Sequence, residues 1–439
     1  MNYFLLAETD FFRLINEAGD CNMETNYLNG NNIAEYLANT PQITFEITER
    51  CNLSCVYCGY GKLYSNKDMR KGRELPLDNA ITLLQYLQNL WDAGYDTQGD
   101  SNIIISFYGG EPLLNMPFIY GVVDYIENNL SKYNKTFVFS MTTNAILLPR
   151  YMDYLVKKRF KILISLDGDE NGSSLRVFPN GQPAFGKITD AVEQLKDKYP
   201  YYFESSVEFN AVLSNRTSVK DITEYIYTHY HKSPTISEIN TDGINLDEIE
   251  LFKSIFQDKW KSTMEMNKDL SELPFWNNPN FERVARYILM HSPYAYMDYN
   301  ELLFNSQQER KELPTGTCLP FTKKIFVTVS GKIMPCEKIS YKYQLGTIKD
   351  QKVNIDFEAI AQMYNSYYDR VRQTCRKCFN HKGCLCCIFN NGQLESHFAR
   401  CSYFVTSIDN KSMQMEVNDF LRKYPEAYSY IMQQYEVIL

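Results

Sequence analysis

The sequence has no run of lysine or arginine, no apolar stretch near the roughly 20 residues that span a bilayer, no low-complexity tract and no internal repeat. The first absence removes the electrostatic footprint of a nucleic-acid partner, and the second removes the signature of a membrane-spanning helix. The N-terminus, Met1-Asn2-Tyr3-Phe4-Leu5-Leu6-Ala7-Glu8, has no basic segment ahead of its apolar residues and turns acidic at once, unlike a secretory signal. Without that signal, 12 cysteines bunched at close spacing in 439 residues point to metal binding rather than disulfides. The compartment implied is a reducing, oxygen-poor cytoplasm. A net charge of −8 with 22% charged residues is that of a soluble protein, and the length allows two or three domains.

The densest feature is Cys51-Asn52-Leu53-Ser54-Cys55-Val56-Tyr57-Cys58, three thiols spaced CxxxCxxC. Thiolates this close can converge on one iron–sulfur cube and leave one iron free for another ligand. A structural zinc site or reduced surface thiols fit the three cysteines as well. The loop follows a short apolar strand, Ile43–Ile47, and in parallel α/β folds the C-terminal ends of strands carry the active site.

From residue 41 strands and helices alternate. Strands are expected at 43–47, 103–107, 136–140, 161–166, 205–213 and 234–240, and helices from Asp78 to Gly94 and at 117–130, 149–158, 187–197 and 217–230. The first helix shows its period in Ile81, Leu84, Leu87 and Trp91. Six strands separated by five helices make a parallel sheet with helices outside it. Pattern alone leaves an open sheet and a partial barrel both standing. Phe256, Trp260, Met264, Trp276 and Phe281 read as core, and Cys21 as an isolated thiol.

With Tyr57 in the aromatic slot, CxxxCxxC resembles the signature of the radical SAM superfamily. Gly109-Gly110-Glu111-Pro112, after strand 103–107, resembles that family's GGEP motif. The resemblance covers residues 41–240 and favours a partial (β/α)6 barrel of the TIM type. It implies that Cys51, Cys55 and Cys58 hold a 4Fe–4S cluster whose open iron binds S-adenosyl-L-methionine. Glu111 would accept from the methionine ammonium, with Gly109 and Gly110 letting backbone approach the ligand. Tyr57 would lie near the adenine. Thr142-Thr143-Asn144 and Ser165-Leu166-Asp167-Gly168 resemble ribose-contacting stretches, with Ser165 and Asp167 as hydroxyl partners. Arg176 resembles an arginine that clamps the methionine carboxylate, and Val212 is placed either against adenine or in the core. The chemistry implied is reductive cleavage to a 5′-deoxyadenosyl radical that takes hydrogen from an unactivated carbon.

The cysteines return from residue 318. Cys318, Gly331 and Cys336 read Cx12Gx4C, with a hairpin expected across Lys324–Val329 and Ile333–Cys336; Cys375, Cys378, Cys384, Cys386, Cys387 and Cys401 follow. This resembles the SPASM extension, which binds two auxiliary 4Fe–4S clusters, although the spacing from Cys384 to Cys387 is one residue short. The resemblance implies an outer cluster on Cys375, Cys378, Cys384 and Cys401, and an inner one on Cys318, Cys336 and Cys387 (or Cys386). The competing arrangement is a zinc knuckle on Cys375, Cys378, Cys384 and Cys387. Glu337 stands where sulfatase-activating relatives carry a base. The expected segments are an N-terminal extension (1–40), the barrel (41–240), a helical bridge (241–312), the SPASM domain (313–405) and a C-terminal helical segment (406–439). The function implied is a maturase that crosslinks a ribosomally made precursor peptide through a carbon–sulfur, carbon–carbon or similar bond. Its electrons would come from a donor such as flavodoxin or ferredoxin. Rival readings are an anaerobic sulfatase-maturating enzyme that forms formylglycine and a non-catalytic peptide-binding scaffold.

Overall fold

The computed structural model describes residues 28–66, 68–99, 101–241, 243–266, 275–278, 280–291, 315–380, 384, 386–390, 394, 401 and 403–434. Cys21, most of the N-terminal extension and much of the helical bridge lie outside these residues, as do the side chains of Trp260 and Met264. The chain divides into two compact units. One comprises Gly30–Met266 with Leu319–Ile360, and the other holds the remaining described residues.

The first unit opens with α1 (Gly30–Ala38) and then alternates: β1 Gln42–Thr48, α2 Leu77–Asp92, β2 Ser101–Gly109, α3 Met116–Asn129, β3 Lys135–Thr143, α4 Leu148–Lys157, β4 Lys161–Ser165, α5 Phe185–Lys198, α6 Pro200–Ser206, β5 Val207–Leu213, α7 Val219–Tyr230 and β6 Thr235–Glu238. β1 to β6 pair in order, all parallel. This is the α/β partial barrel. Alternation along each strand sorts the two faces. Ile43, Phe45, Ile103, Ile105, Phe107, Ile162, Ile164 and Phe209 are buried, and Phe45 and Phe107 both meet Phe118 of α3 edge-on. The intervening residues line the lumen. One expectation is corrected at its boundary: residues 205 and 206 end α6, whose first turn is set by Pro200, so the fifth strand begins at Val207. Two short helices follow, α8 Ile249–Ile255 and α9 Lys259–Met266.

The expected hairpin is present as β7 Ile325–Val327 and β8 Lys332–Met334, turning through Gly331 at φ +78°. Its position was not foreseen. β7 pairs parallel with β1, and β8, β9 Gly346–Lys349 and β10 Lys352–Asn354 continue antiparallel, giving one ten-stranded sheet. The free edge of β1 is thereby covered. These strands belong to the sheet unit, so a boundary at 313 does not separate them from the barrel.

In the second unit α10 Phe281–His291 packs with α12 Ser407–Lys423 and α13 Glu426–Gln434 around Phe281, Val284, Ile288, Val417, Phe420 and Ile431. Trp276, expected in the core, is 52% exposed. α11, Phe357–Arg376, carries Cys375 in its last turn. Among the described residues no helix is long and apolar enough to cross a membrane.

Candidate active site

The cysteine loop leaves β1 and is fastened on two sides. On one, Gly110 N–H donates to Thr48 O (2.8 Å) and Glu111 N–H to Arg50 O (2.9 Å), which joins the end of β2 to the start of the loop. This contact sets the two glycines. Gly109 has φ +134°, and a Cβ on Gly110 would stand 2.0 Å from Arg50 O. Their freedom brings two strand ends together. On the other side, Ser54 N–H donates to Val177 O (2.7 Å) and Val56 N–H to Leu175 O (3.0 Å). The loop therefore runs alongside the segment that carries Arg176.

Glu111 is fully buried. Its Oε1 accepts from Thr143 Oγ1 (2.8 Å) and Leu113 N–H (3.1 Å), and its Oε2 from Asn144 N–H (2.8 Å). Burial pushes its carboxyl up to about 7, and the three hydrogen bonds only partly offset that. Three donors leave one of about four acceptor positions open, and no lysine or arginine among the described residues is paired with the group. A buried carboxylate with three neutral donors and no cation fits an ammonium ligand. Asn144 also reaches the loop, donating from Nδ2 to Asn52 Oδ1 (2.7 Å) and lying 3.8 Å from Cys51 Sγ. Asn52 had no distinguishing signal, since CxxxCxxC leaves its position unspecified.

A second buried group centres on Asp167, also without exposure. Arg176 grips it through Nε to Oδ2 (2.9 Å) and Nη2 to Oδ1 (2.8 Å), Val212 N–H donates to Oδ1 (2.8 Å), and the Tyr57 hydroxyl donates to Oδ2. This arrangement bears on three expectations. Asp167 spends its acceptors on protein rather than on a sugar hydroxyl. Arg176 keeps Nη1 and the second Nη2 hydrogen outside this pair. Tyr57 is 7% exposed and packs with Leu63, Leu175, Ile239 and Ile255. Two charges this deep must neutralise each other locally, which the sequence, assigning each to a ligand, did not show. Ser165 Oγ donates to Asn210 Oδ1 across β4 and β5 (3.0 Å).

Glu337 opens to the lumen, with Lys324 Nζ 3.2 Å from its Oε2. Both line a cavity of about 410 Å³ together with Tyr108, whose phenol is pushed well up, first by burial and then by the charges of Glu337 and Cys58. Lys324 was legible from the hairpin: with Phe326 opposite Met334, Lys324 falls level with Cys336.

The remaining cysteines group in part. Burial, then the charges of Cys384, Cys378 and Cys401, push the Cys375 thiol up to about 12; these are the four residues assigned to the outer cluster. Cys386 is buried, with its sulfur 4.0 Å from Cys401 Sγ and its N–H on Cys384 Sγ (3.4 Å). Thr317 Oγ1 accepts from Ile388 N–H (2.8 Å), so the segments ending in Cys318 and Cys387 lie side by side. Cys336 belongs to the sheet unit and its sulfur accepts from Lys338 N–H (3.1 Å). Among the described residues no three cysteine, histidine or carboxylate side chains converge closely enough for a single metal ion. A cube, which gives each thiolate its own iron, does not require them to.

Residues 45–225 match the radical SAM superfamily model. They form a radical SAM domain. The chain is 23% identical over 400 residues to a cysteine-type anaerobic sulfatase-maturating enzyme of Clostridium perfringens, covering 87% of this chain and 93% of that protein. It is 27% identical over 213 residues to the radical SAM cyclopropyl synthase TigE of Paramaledivibacter caminithermalis, covering 47% and 41%. It is also 36% identical over 143 residues to an uncharacterized protein of Methanocaldococcus jannaschii, so the chain spans less than half the length of that protein and of TigE, 44% and 41%. The fold is also that of anSMEcpe solved with bound AdoMet and the Cp18Cys peptide, at TM-score 0.56 and 17% identity, covering 89% of this chain and 98% of that one.

Proposed function

We propose that the chain is a radical SAM/SPASM enzyme that modifies a peptide. The observation that carries this reading is Glu111: a fully buried carboxylate at a strand end, without a cation, tied through Asn144 to the loop bearing Cys51, Cys55 and Cys58. In this reading those cysteines hold a 4Fe–4S cluster, and Glu111 Oε2 receives the ammonium of S-adenosylmethionine. When bound, the cluster and S-adenosylmethionine supply the 5′-deoxyadenosyl radical that removes hydrogen from carbon.

The chain's own residues bind, aim and shield. Arg176 would hold the methionine carboxylate through the hydrogens not spent on Asp167, which holds the guanidinium still. Asp167 also fixes Val212 and Tyr57, so one carboxylate sets the walls of the nucleoside site. Ser165 and Asn210 present a paired hydroxyl and amide at the same strand ends. Glu337 takes up the proton released from the substrate thiol or hydroxyl at its carboxylate, provided the peptide reaches into the lumen, and Lys324 holds that carboxylate in place. Cys375, Cys378, Cys384 and Cys401 would carry the outer auxiliary cluster, while the inner one keeps its assignment from the sequence, Cys318, Cys336 and Cys387 (or Cys386).

The product we favour is a crosslink within a ribosomally made precursor peptide. The broad match to sulfatase-maturating enzymes supports a second product, formylglycine. Mass spectrometry of a candidate precursor after anaerobic turnover separates the two. A crosslink removes hydrogen and keeps the cysteine sulfur, formylglycine formation from cysteine loses that sulfur, and an unchanged peptide rejects both.

A further inference from the structure

The turn that follows β3 aims one side chain at the cysteine loop. Thr143 Oγ1 accepts from Ala145 N–H (3.1 Å) and donates to Glu111 Oε1 (2.8 Å), and Asn144 Oδ1 accepts from Ile146 N–H (3.2 Å). Ala145 is fully buried at φ +67°, a left-handed conformation that a residue with a Cβ holds only where its surroundings enforce it. Because the Asn144 oxygen is taken by Ile146, its nitrogen faces the other way, and the amide has one orientation. One hydrogen of Nδ2 lies on Asn52 Oδ1 (2.7 Å), and the nitrogen stands 3.8 Å from Cys51 Sγ. Asn144 is buried, so water competes little for its second hydrogen.

The two asparagines have different parts. Asn52 Oδ1 also stands 3.9 Å from Cys51 Sγ, where it can accept from the thiol. The thiolate, which is the form that binds iron, has no proton to give and can only accept. Its donors are then Asn144 Nδ2 and Leu53 N–H, the latter at 3.4 Å. Among the described residues no other side chain donates to Cys51, Cys55 or Cys58. A hydrogen bond to a ligating sulfur stabilises the more negative, reduced cluster, and does so more strongly where the dielectric is low. The backbone N–H of Asn144 is meanwhile held on Glu111 Oε2 (2.8 Å), which fixes the root of the side chain. We propose that Asn144 raises the reduction potential of the cluster on the Cys51 loop by donating to the Cys51 sulfur, with Asn52 as the residue that positions it. The proposal rests on the radical SAM reading of that loop. It gives both asparagines a role toward the cluster that the sequence pattern did not suggest.

The test is a redox titration of the full chain with its clusters, read by electron paramagnetic resonance at poised potentials. The signal belonging to the loop is the one absent from Cys55→Ala. In Asn144→Ser the hydroxyl keeps an acceptor for Ile146 N–H but is too short to reach the Cys51 sulfur. The midpoint of the loop signal is expected to fall by about 59 mV, a tenfold loss in the one-electron equilibrium. Asn52→Ala leaves Asn144 in place but unaligned, and is expected to lower the midpoint by about 30 mV, or about threefold. If Asn144→Ser fails to take up iron at the loop, Asn52→Ala decides. A midpoint unchanged or raised in the iron-loaded variants would overturn the proposal, even with a lowered melting temperature, because a merely structural role moves melting and not potential. A Cys55→Ala spectrum identical to that of the unaltered chain would instead defeat the reading of the loop, wherever the midpoints lie.

Discussion

Glu111 gives the sharpest pH-dependent consequence. In the ligand-free chain its carboxyl titrates near 7, against an ordinary value of 4.5. The folded state therefore holds a proton that the unfolded state has lost, and stability declines as pH rises from about 4.5 to about 7. A shift of this size corresponds to about 3 kcal/mol. An ammonium ligand reverses the situation, because it is attracted to the ionised carboxylate. Below about pH 7, S-adenosylmethionine must displace that proton. Its affinity should fall by up to about tenfold per unit as pH drops toward 5, with proton release visible by calorimetry in buffers of different ionisation enthalpy. Glu111→Gln should abolish the release and weaken binding above pH 7 by about 1.5–3 kcal/mol, or about 10- to 100-fold. Parallel pH curves for the two proteins, or equal affinities at alkaline pH, would refute the assignment of Glu111 to the ammonium.

Three further outcomes are expected. Cys386→Ala should retain the full iron content and cluster spectrum, and Cys387→Ala should lose one cluster, because the Cys386 sulfur lies against Cys401 on the outer set; iron lost from the first variant but not the second would reverse the assignment. Arg70→Met leaves Glu46, 2% exposed and bonded to Arg70 at 2.6 Å, without its cation, and should cost about 3–5 kcal/mol in urea unfolding, whereas a loss below about 1 kcal/mol would show the pair to be dispensable. Gly110→Ala pushes a methyl into Arg50 O and should destabilise by about 1–3 kcal/mol, seen as a lower melting temperature; an unchanged melt would mean that the strand ends separate freely.

Much of this architecture was legible because parallel strands and amphipathic helices announce themselves by period. Ile103, Ile105 and Phe107 alternate with lumen positions, and Leu84, Leu87 and Trp91 recur at helical spacing and are buried. The docking of β7 on β1 was not legible, since parallel edge pairing between residues 282 apart, as in Ile43 with Ile325, leaves no local pattern. Glu111 and the first three cysteines were singled out because the chemistry proposed for them is tied to a fixed spacing, and in the structure Asn144 joins Glu111 to Cys51. The Asp167–Arg176–Tyr57 group was seen as residues but not as one unit, because mutual neutralisation depends on burial that spacing does not encode. The lumen cavity was missed for a related reason: Ser106 and Ser140 read as ordinary strand residues until register sets them side by side.

The central claim is that the loop at Cys51, Cys55 and Cys58 performs reductive cleavage of S-adenosylmethionine. The direct measurement is 5′-deoxyadenosine formed by the anaerobically reconstituted protein with a chemical reductant, compared with Cys55→Ala prepared identically. The account predicts deoxyadenosine from the unaltered protein and none from the variant, which stays folded and keeps its auxiliary iron. Cleavage by Cys55→Ala at a comparable rate, or no cleavage by a fully iron-loaded unaltered protein, would contradict it.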